Sequence, residues 1–269
     1  MPISPAPYVG LFSIQKDNII VQYISNTGYR IDKNRMIYWN QRLVVLGMAI
    51  IAVGLVVISA VVSPQGDELL AKKASLSYNS MSDPSRTFSV DQEANIPTWF
   101  TGGIALYLAM TAGMIASVVK SQGKKMAWAW RGISIMAIYI ALDEVAGFHE
   151  LAIDPIRSNW DVGPWLYQSW VIPAMALVVL IGIIYFRFLW KLPIYTKVYL
   201  CLGALTYVTG AIGVESIGGF VLTTQGLSDW YVQLSHIEEF MEMMGLIIIL
   251  YSVVEYARRE LKSMTVILK

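Results

Sequence analysis

The chain reads as an all-α protein: a polytopic bundle of six transmembrane helices, both termini cytoplasmic, with a short N-terminal cytoplasmic hairpin. Three observations predict this. Of its 269 residues, 56% are hydrophobic and 14% charged, a composition far from that of a soluble domain. The apolar residues come in long blocks, each able to cross a hydrocarbon core of about 30 Å at about 1.5 Å per residue. Basic residues and tryptophans then divide between the two ends of those blocks, as membrane orientation requires.

Six blocks meet the length criterion, at roughly 43–62, 99–119, 127–148, 166–190, 198–221 and 237–256. The last two carry polar residues at one end. Lys16, Arg30, Lys33, Arg35 and Arg42 precede the first block, and Lys120, Lys124, Lys125 and Arg131 sit at the second-to-third turn. Arg187, Lys191 and Lys197 mark the fourth-to-fifth turn, and Arg258, Arg259, Lys262 and Lys269 follow the sixth. Sixteen of the 20 Lys and Arg residues thus fall on one side, against Lys72, Lys73, Arg86 and Arg157 on the other. The positive-inside rule makes the first side cytoplasmic. Trp39, Trp128, Trp130 and Trp190 fall at inner boundaries, while Trp99, Trp160, Trp165, Trp170 and Trp230 fall at outer ones. The bacterial inner membrane is the expected location.

The expected organisation is a cytoplasmic segment 1–42, a transmembrane domain 43–257 with an outer loop 63–98, and a tail 258–269. The first apolar block follows about forty mixed residues, which is not the pattern of a cleavable secretory signal. Within the first segment, Ile19 to Ile24, a Ser25-Asn26-Thr27-Gly28 turn and Tyr29-Arg30-Ile31 predict the hairpin. Proline, glycine and serine make the outer loop irregular, with one short helix expected near 67–76. Cys201 is the one cysteine, which excludes an intramolecular disulfide framework and a thiolate metal cluster. There is no phosphate-binding glycine loop and no basic nucleic-acid surface, which removes nucleotide hydrolysis and nucleic-acid binding from the leading classes.

The residues that carry chemistry are ionisable groups in or beside apolar segments, where they are costly and usually functional. They are Asp143, Glu144, His149 and Glu150 on the third block, Glu215 on the fifth, and His236, Glu238, Glu239 and Glu242 on the sixth. The topology, drawn without reference to any acidic residue, delivers all nine to the extracytoplasmic leaflet. Spacings of three and four residues share a helix face, so His236, Glu239 and Glu242 form one inward stripe and Glu238 turns away. On the third block Asp143 and Glu150 share a face about two turns apart. All four of its residues converge only if Gly147 bends or ends the helix.

Carboxylates with imidazole form a hard-to-borderline donor set suited to a divalent metal ion such as iron, manganese or zinc, one or two in number. The expected ligands are His149, Glu150, Glu215, His236, Glu239 and Glu242. Asp143 and Glu144 are the expected catalytic proton acceptors for oxidoreductase or hydrolase chemistry on a lipid-soluble substrate. The expected partners are membrane lipids and that substrate, with a homo-oligomer or a larger membrane complex also open. Three other readings compete. The carboxylates would equally serve a cation or proton transporter or sensor; His149 and His236 would serve a haem- or pigment-binding subunit; and an acidic outer surface would serve an accessory subunit. Met241, Met243 and Met244 are read as packing or lipid-facing residues. Gly210, Gly213, Gly218 and Gly219 are read as sites of close helix approach.

Leu142-Asp143-Glu144, four residues, His149-Glu150, then Gly213-x-Glu215 and Glu238-Glu239-x-x-Glu242-x-x-Gly245 together resemble a group of uncharacterised bacterial six-span integral membrane proteins. That group shares a Leu-Asp-Glu-x4-His-Glu segment and a later Glu-Glu-x2-Glu-Met-x-Gly segment. The likeness runs from the third to the sixth block and brings no established reaction with it.

Overall fold

The computed structural model describes residues 9–15, 18–24, 38–63, 83–261 and 264–267. The chain is dominated by helix. In order, β1 (Val9–Gln15), β2 (Asn18–Ile24) and β3 (Tyr38–Asn40) lead into α1 (Gln41–Val62) and a short α2 (Pro84–Thr87). There follow α3 (Ile96–Ser121), α4 (Ala127–Ala146), α5 (Ile153–Asn159) and α6 (Val171–Lys191). Then come α7 (Ile194–Val208), a π-turn (Thr209–Val214), α8 (Glu215–Gln225), α9 (Asp229–Glu260) and β4 (Met264–Ile267).

The helix starts follow local rules. Asn40 caps α1 by accepting from the Arg42 amide at 3.1 Å, and Asn95 caps α3 by accepting from the Thr98 amide at 3.2 Å. Such caps satisfy amides that have no partner within the helix. Ser228 begins α9 in the same way, eight residues before the block that hydropathy marks. The start was hidden because the first turns of α9 are polar, and an apolar window cannot register them.

Four helical segments, Gln41–Val62, Ile96–Ser121, Val171–Lys191 and Ile194–Gln225, are long and apolar enough to cross a membrane. A fifth joins them if Ala127–Ala146 and the helix after it, bent by 75°, are taken as one span.

Three pairs of neighbouring long helices run antiparallel: α1 with α9, α3 with α4, and α7 with α9. α1 meets α9 through Arg42–Glu255 at one end and Ser59–His236 at the other. α3 meets α4 where Ser134 donates to the Ala109 carbonyl at 2.7 Å. α7 crosses α9 in backbone contact: a Cβ on Gly245 would lie 2.6 Å from the Tyr207 amide nitrogen, and one on Gly203 would lie 2.8 Å from the Gly245 carbonyl oxygen. Small residues of this kind permit close helix approach in bundles. Gly210 and Gly219 act likewise, against Glu238 and Tyr167, whereas the space beside Gly213 is filled by Thr209 of its own turn. The core centres on Leu108, Ile115, Trp130, Met243, Leu246 and Leu250, all of them buried. α6 instead exposes most of its apolar side chains.

The strands form one antiparallel sheet ordered β3-β2-β1-β4. The segment from Ile19 is a strand as predicted, but it pairs with the preceding β1 (Ile14 with Ile19) and with β3 (Ile19 with Trp39). The expected turn at Ser25 to Gly28, the strand at Tyr29 to Ile31 and the helix near 67–76 lie outside the described residues. β1 also pairs with β4, Phe12 opposite Val266. Both terminal regions therefore meet at the end of the bundle that carries Arg42, Arg258 and Arg259. This is the basic end, and the acidic residues gather at the other.

Candidate functional site

Helix α4 stops where its sequence demands. Gly147 takes a left-handed conformation at φ 58° and ψ 37°, its amide bonding the Asp143 carbonyl at 2.7 Å, which is the glycine C-terminal cap. This break brings together residues that a continuous helix would keep apart. The Asp143 carboxylate accepts from the His149 backbone amide at 2.9 Å through Oδ1 and meets the His149 ring Nδ1 at 2.9 Å through Oδ2. With Nδ1 so engaged, Nε2 is the ring atom left for another partner.

His149 has two neighbours of the right chemistry. One ligand atom each from Glu93, His149 and Glu150 lies within 4.8 Å of the others. Glu93 belongs to the segment before α3, and its carboxylate rests on the bare backbone of Gly147, where a Cβ would come within 2.6 Å of Oε2. Burial raises the Glu93 pKa above the ordinary carboxylate range, and the nearby Glu150 raises it further. Burial alone would lower the His149 pKa, but the hydrogen bond and charge of Asp143, together with the charges of Glu150 and Glu93, outweigh it and the net shift is upward. Trp170 packs on the His149 ring with centroids 4.7 Å apart, while its indole N–H donates to Glu215 at 3.3 Å.

A second group of carboxyls lies beside this triad. Glu144 is within electrostatic reach of Glu93 and Asp143 and touches the Thr101 hydroxyl. Glu239 is within reach of Glu144, Glu242 and Glu215, and Glu242 is hydrogen-bonded to Tyr207. Glu238, turned away from His236 by helical spacing, is hydrogen-bonded to Glu215. Glu215 stands directly after the π-turn Thr209–Val214, a local widening of the helix that often marks functional positions.

His236 is the expected ligand that the structure places differently. It is 5% exposed; its Nδ1 donates to the Val232 carbonyl at 2.6 Å, and its Nε2 meets the Ser59 hydroxyl at 3.0 Å. Both ring nitrogens are thus committed to protein partners. The stripe fails at this residue because α9 is surrounded: its Glu239 and Glu242 side faces α4 and α7, whereas His236 reaches α1.

Asp143, Glu144, His149, Glu150, Glu215, Glu239 and Glu242 therefore gather at the acidic end of the bundle, and Glu238 joins them. Glu93 is the addition that sequence reasoning missed. It lies among polar loop residues, where no apolar surroundings make a carboxylate conspicuous. The signal that could have found it is its place three residues before the α3 start.

A family model described as Domain of unknown function (DUF8692) matches residues 45–256. The chain belongs to that family. The match runs from α1 nearly to the end of α9 and so covers the helical bundle and every acidic residue named above. No curated protein and no solved structure matches the chain.

Proposed function

We propose that the protein is an integral membrane metalloprotein that binds a divalent cation at the extracytoplasmic end of a six-span bundle. One observation carries this reading: His149, oriented by Asp143, faces Glu93 and Glu150. A carboxylate holding the far nitrogen of an imidazole fixes its tautomer and turns the other nitrogen outward, which is the usual support for a metal-binding histidine. One nitrogen and two carboxylate donors suit iron, manganese or zinc. Metal–ligand distances of about 2.0–2.2 Å space donors about 3 to 4.4 Å apart, so atoms within 4.8 Å close on an ion by side-chain rotation.

When bound, such an ion would polarise a substrate or water oxygen, as oxidoreductase or hydrolase chemistry needs. The chain supplies the rest. Asp143 holds the His149 ring, and Trp170 covers it. Glu144, beside Glu93, is placed to accept a proton. Glu215, Glu238, Glu239 and Glu242 can pass that proton among themselves toward Tyr207. The site's position in the outer leaflet suits a lipid-soluble substrate. His236 is left out of the ligand set, because its Nε2 would have to give up the Ser59 hydroxyl to ligate a metal or a haem iron.

Elemental analysis of gently purified protein tests the reading. The expected result is close to stoichiometric iron, manganese or zinc in the natural sequence and loss of it in Glu93→Ala and His149→Ala. Protein that carries no metal and takes up none of the three on addition would overturn it.

A cation or proton path is the second reading, favoured by the file of carboxyls from exposed Glu150 to Glu242. Beyond Glu242, α9 is uncharged as far as Glu255, so the file has no continuation to the basic end along that helix. Ion-dependent flux in vesicles containing the purified protein would decide for this reading.

A further inference from the structure

We infer that Ser59 and His236 form a latch that positions Glu93 over His149; this rests on the metal-site reading above. Ser59 is fully buried in α1, a helix of otherwise apolar character toward that end. Its hydroxyl reaches out of the helix on two sides. It accepts the Val90 backbone N–H at 3.0 Å and meets His236 Nε2 at 3.0 Å. In the neutral imidazole the direction of each bond follows from its partners. The Val232 carbonyl can only accept, so His236 Nδ1 carries the proton and Nε2 is the acceptor. The Ser59 hydroxyl must then donate to Nε2, leaving its oxygen lone pairs for Val90.

Val90 lies three residues before Glu93, and the stretch between them is fastened again by α3. The Asn95 side-chain amide donates to the Ser89 carbonyl at 2.6 Å, and the Thr98 hydroxyl donates to the Gln92 carbonyl at 3.2 Å. The segment carrying Glu93 is thus tied to α1, α9 and α3, and the Ser59–His236 link joins it to α1 and α9 together. On its far side the Glu93 carboxylate abuts Gly147, so a small shift of this segment moves the carboxylate relative to His149. Ser59 and His236 are positioning residues: they touch the backbone that presents a ligand and are not ligands themselves. Groups of this kind typically change metal affinity by about 10–100-fold.

The test is Mn2+ binding to the full chain purified in detergent, followed by the paramagnetic resonance of free and bound ion. Ser59→Ala is compared with Ser59→Thr, which restores the hydroxyl, and with Ser252→Ala, which removes another buried serine hydroxyl, one donating to the Thr196 carbonyl at 2.8 Å near the basic end. The expected result is about tenfold or greater weakening in Ser59→Ala, with Ser59→Thr and Ser252→Ala close to the natural sequence and the bound-ion spectrum altered only in Ser59→Ala. Unchanged affinity and spectrum in Ser59→Ala, or equal weakening in Ser252→Ala, overturns the latch and leaves the metal site standing. If the natural sequence binds no Mn2+, Fe2+ or Zn2+, the metal site itself falls, and the latch with it. Should Ser59→Ala not fold, His236→Gln is read against the same controls, with weakening expected and unchanged binding overturning the latch.

Discussion

The two ends of the bundle treat their carboxylates in opposite ways. At the basic end Glu255, with 2% of its side chain exposed, accepts from Arg42 at 3.1 Å, Arg258 at 2.9 Å and Arg259 at 2.6 Å. At the acidic end Glu93, Glu144, Glu150, Glu215, Glu238, Glu239 and Glu242 gather with no arginine or lysine paired to them among the described residues, and the adjoining Asp143 has His149. A carboxylate surrounded by guanidinium groups is a clamp, with its charge already balanced. Carboxyls that face one another away from water need protons or a cation to balance them. The first arrangement ends a helix pair, and the second is the arrangement on which the proposed metal site rests.

The largest contrast between the ends should appear in metal content. His149→Ala is expected to reduce bound metal to background in elemental analysis, while Glu255→Gln keeps the natural amount; equal loss in both would erase the distinction. Asp143→Asn should come next, keeping the side chain's shape but weakening its hold on the ring, with about 10–100-fold lower affinity in titration with Mn2+.

pH separates the ends further, and its sign follows from His149 and Glu93. Both have pKa values raised by folding, from ordinary values of 6.5 and 4.5. Each therefore binds its proton more tightly when folded, so the metal-free protein loses stability as pH rises past 4.5 and through the range above 6.5. Protons compete with the ion for the same atoms, so affinity increases over the same interval. The rise in melting temperature on adding metal should accordingly grow from acid to alkaline pH in thermal scans. A shift independent of pH would count against these two residues as ligands.

Stability gives smaller effects of opposite sign. Glu255→Gln should destabilise by about 1–2 kcal/mol, since its three arginines are partly exposed and recover some hydration. Glu242→Gln should leave the metal-free protein unchanged or more stable by about 0.5–1 kcal/mol, the gain often seen when a functional site gives up an unfavourable group. Denaturant or thermal unfolding of the two variants side by side checks both signs.

Much of this architecture was legible in the sequence because helices announce themselves by apolar length. The acidic cluster was legible because Glu215 and Glu242 stand among uncharged neighbours, and Gly147 marked the place where α4 had to break. What spacing rules miss is contact between segments. They order residues on one helix but say nothing of which neighbour that face meets. His236 therefore looked like a companion of Glu239 until α1 presented Ser59 to it, and Glu238 looked turned away from the cluster until α8 presented Glu215. Glu93 escaped because its importance comes wholly from its distance to His149, across a turn that sequence separation conceals.

The π-turn at Thr209–Val214 divides the segment from Ile194 to Gln225 into two registers. The half before it is set by the close crossing at Gly203 and Gly245, the turn itself is held against Glu238 at Gly210, and the half after it meets Tyr167 at Gly219. Deleting one residue between Gly210 and Gly213 would restore a regular helix and turn everything beyond it by about 100° with a shift of about 1.5 Å. Glu215 would then swing away from Trp170 and Glu238 while the inner crossing stayed as it was. The widened turn thus works as a rotational offset, letting one helix meet two sets of neighbours that no single helical phase could satisfy.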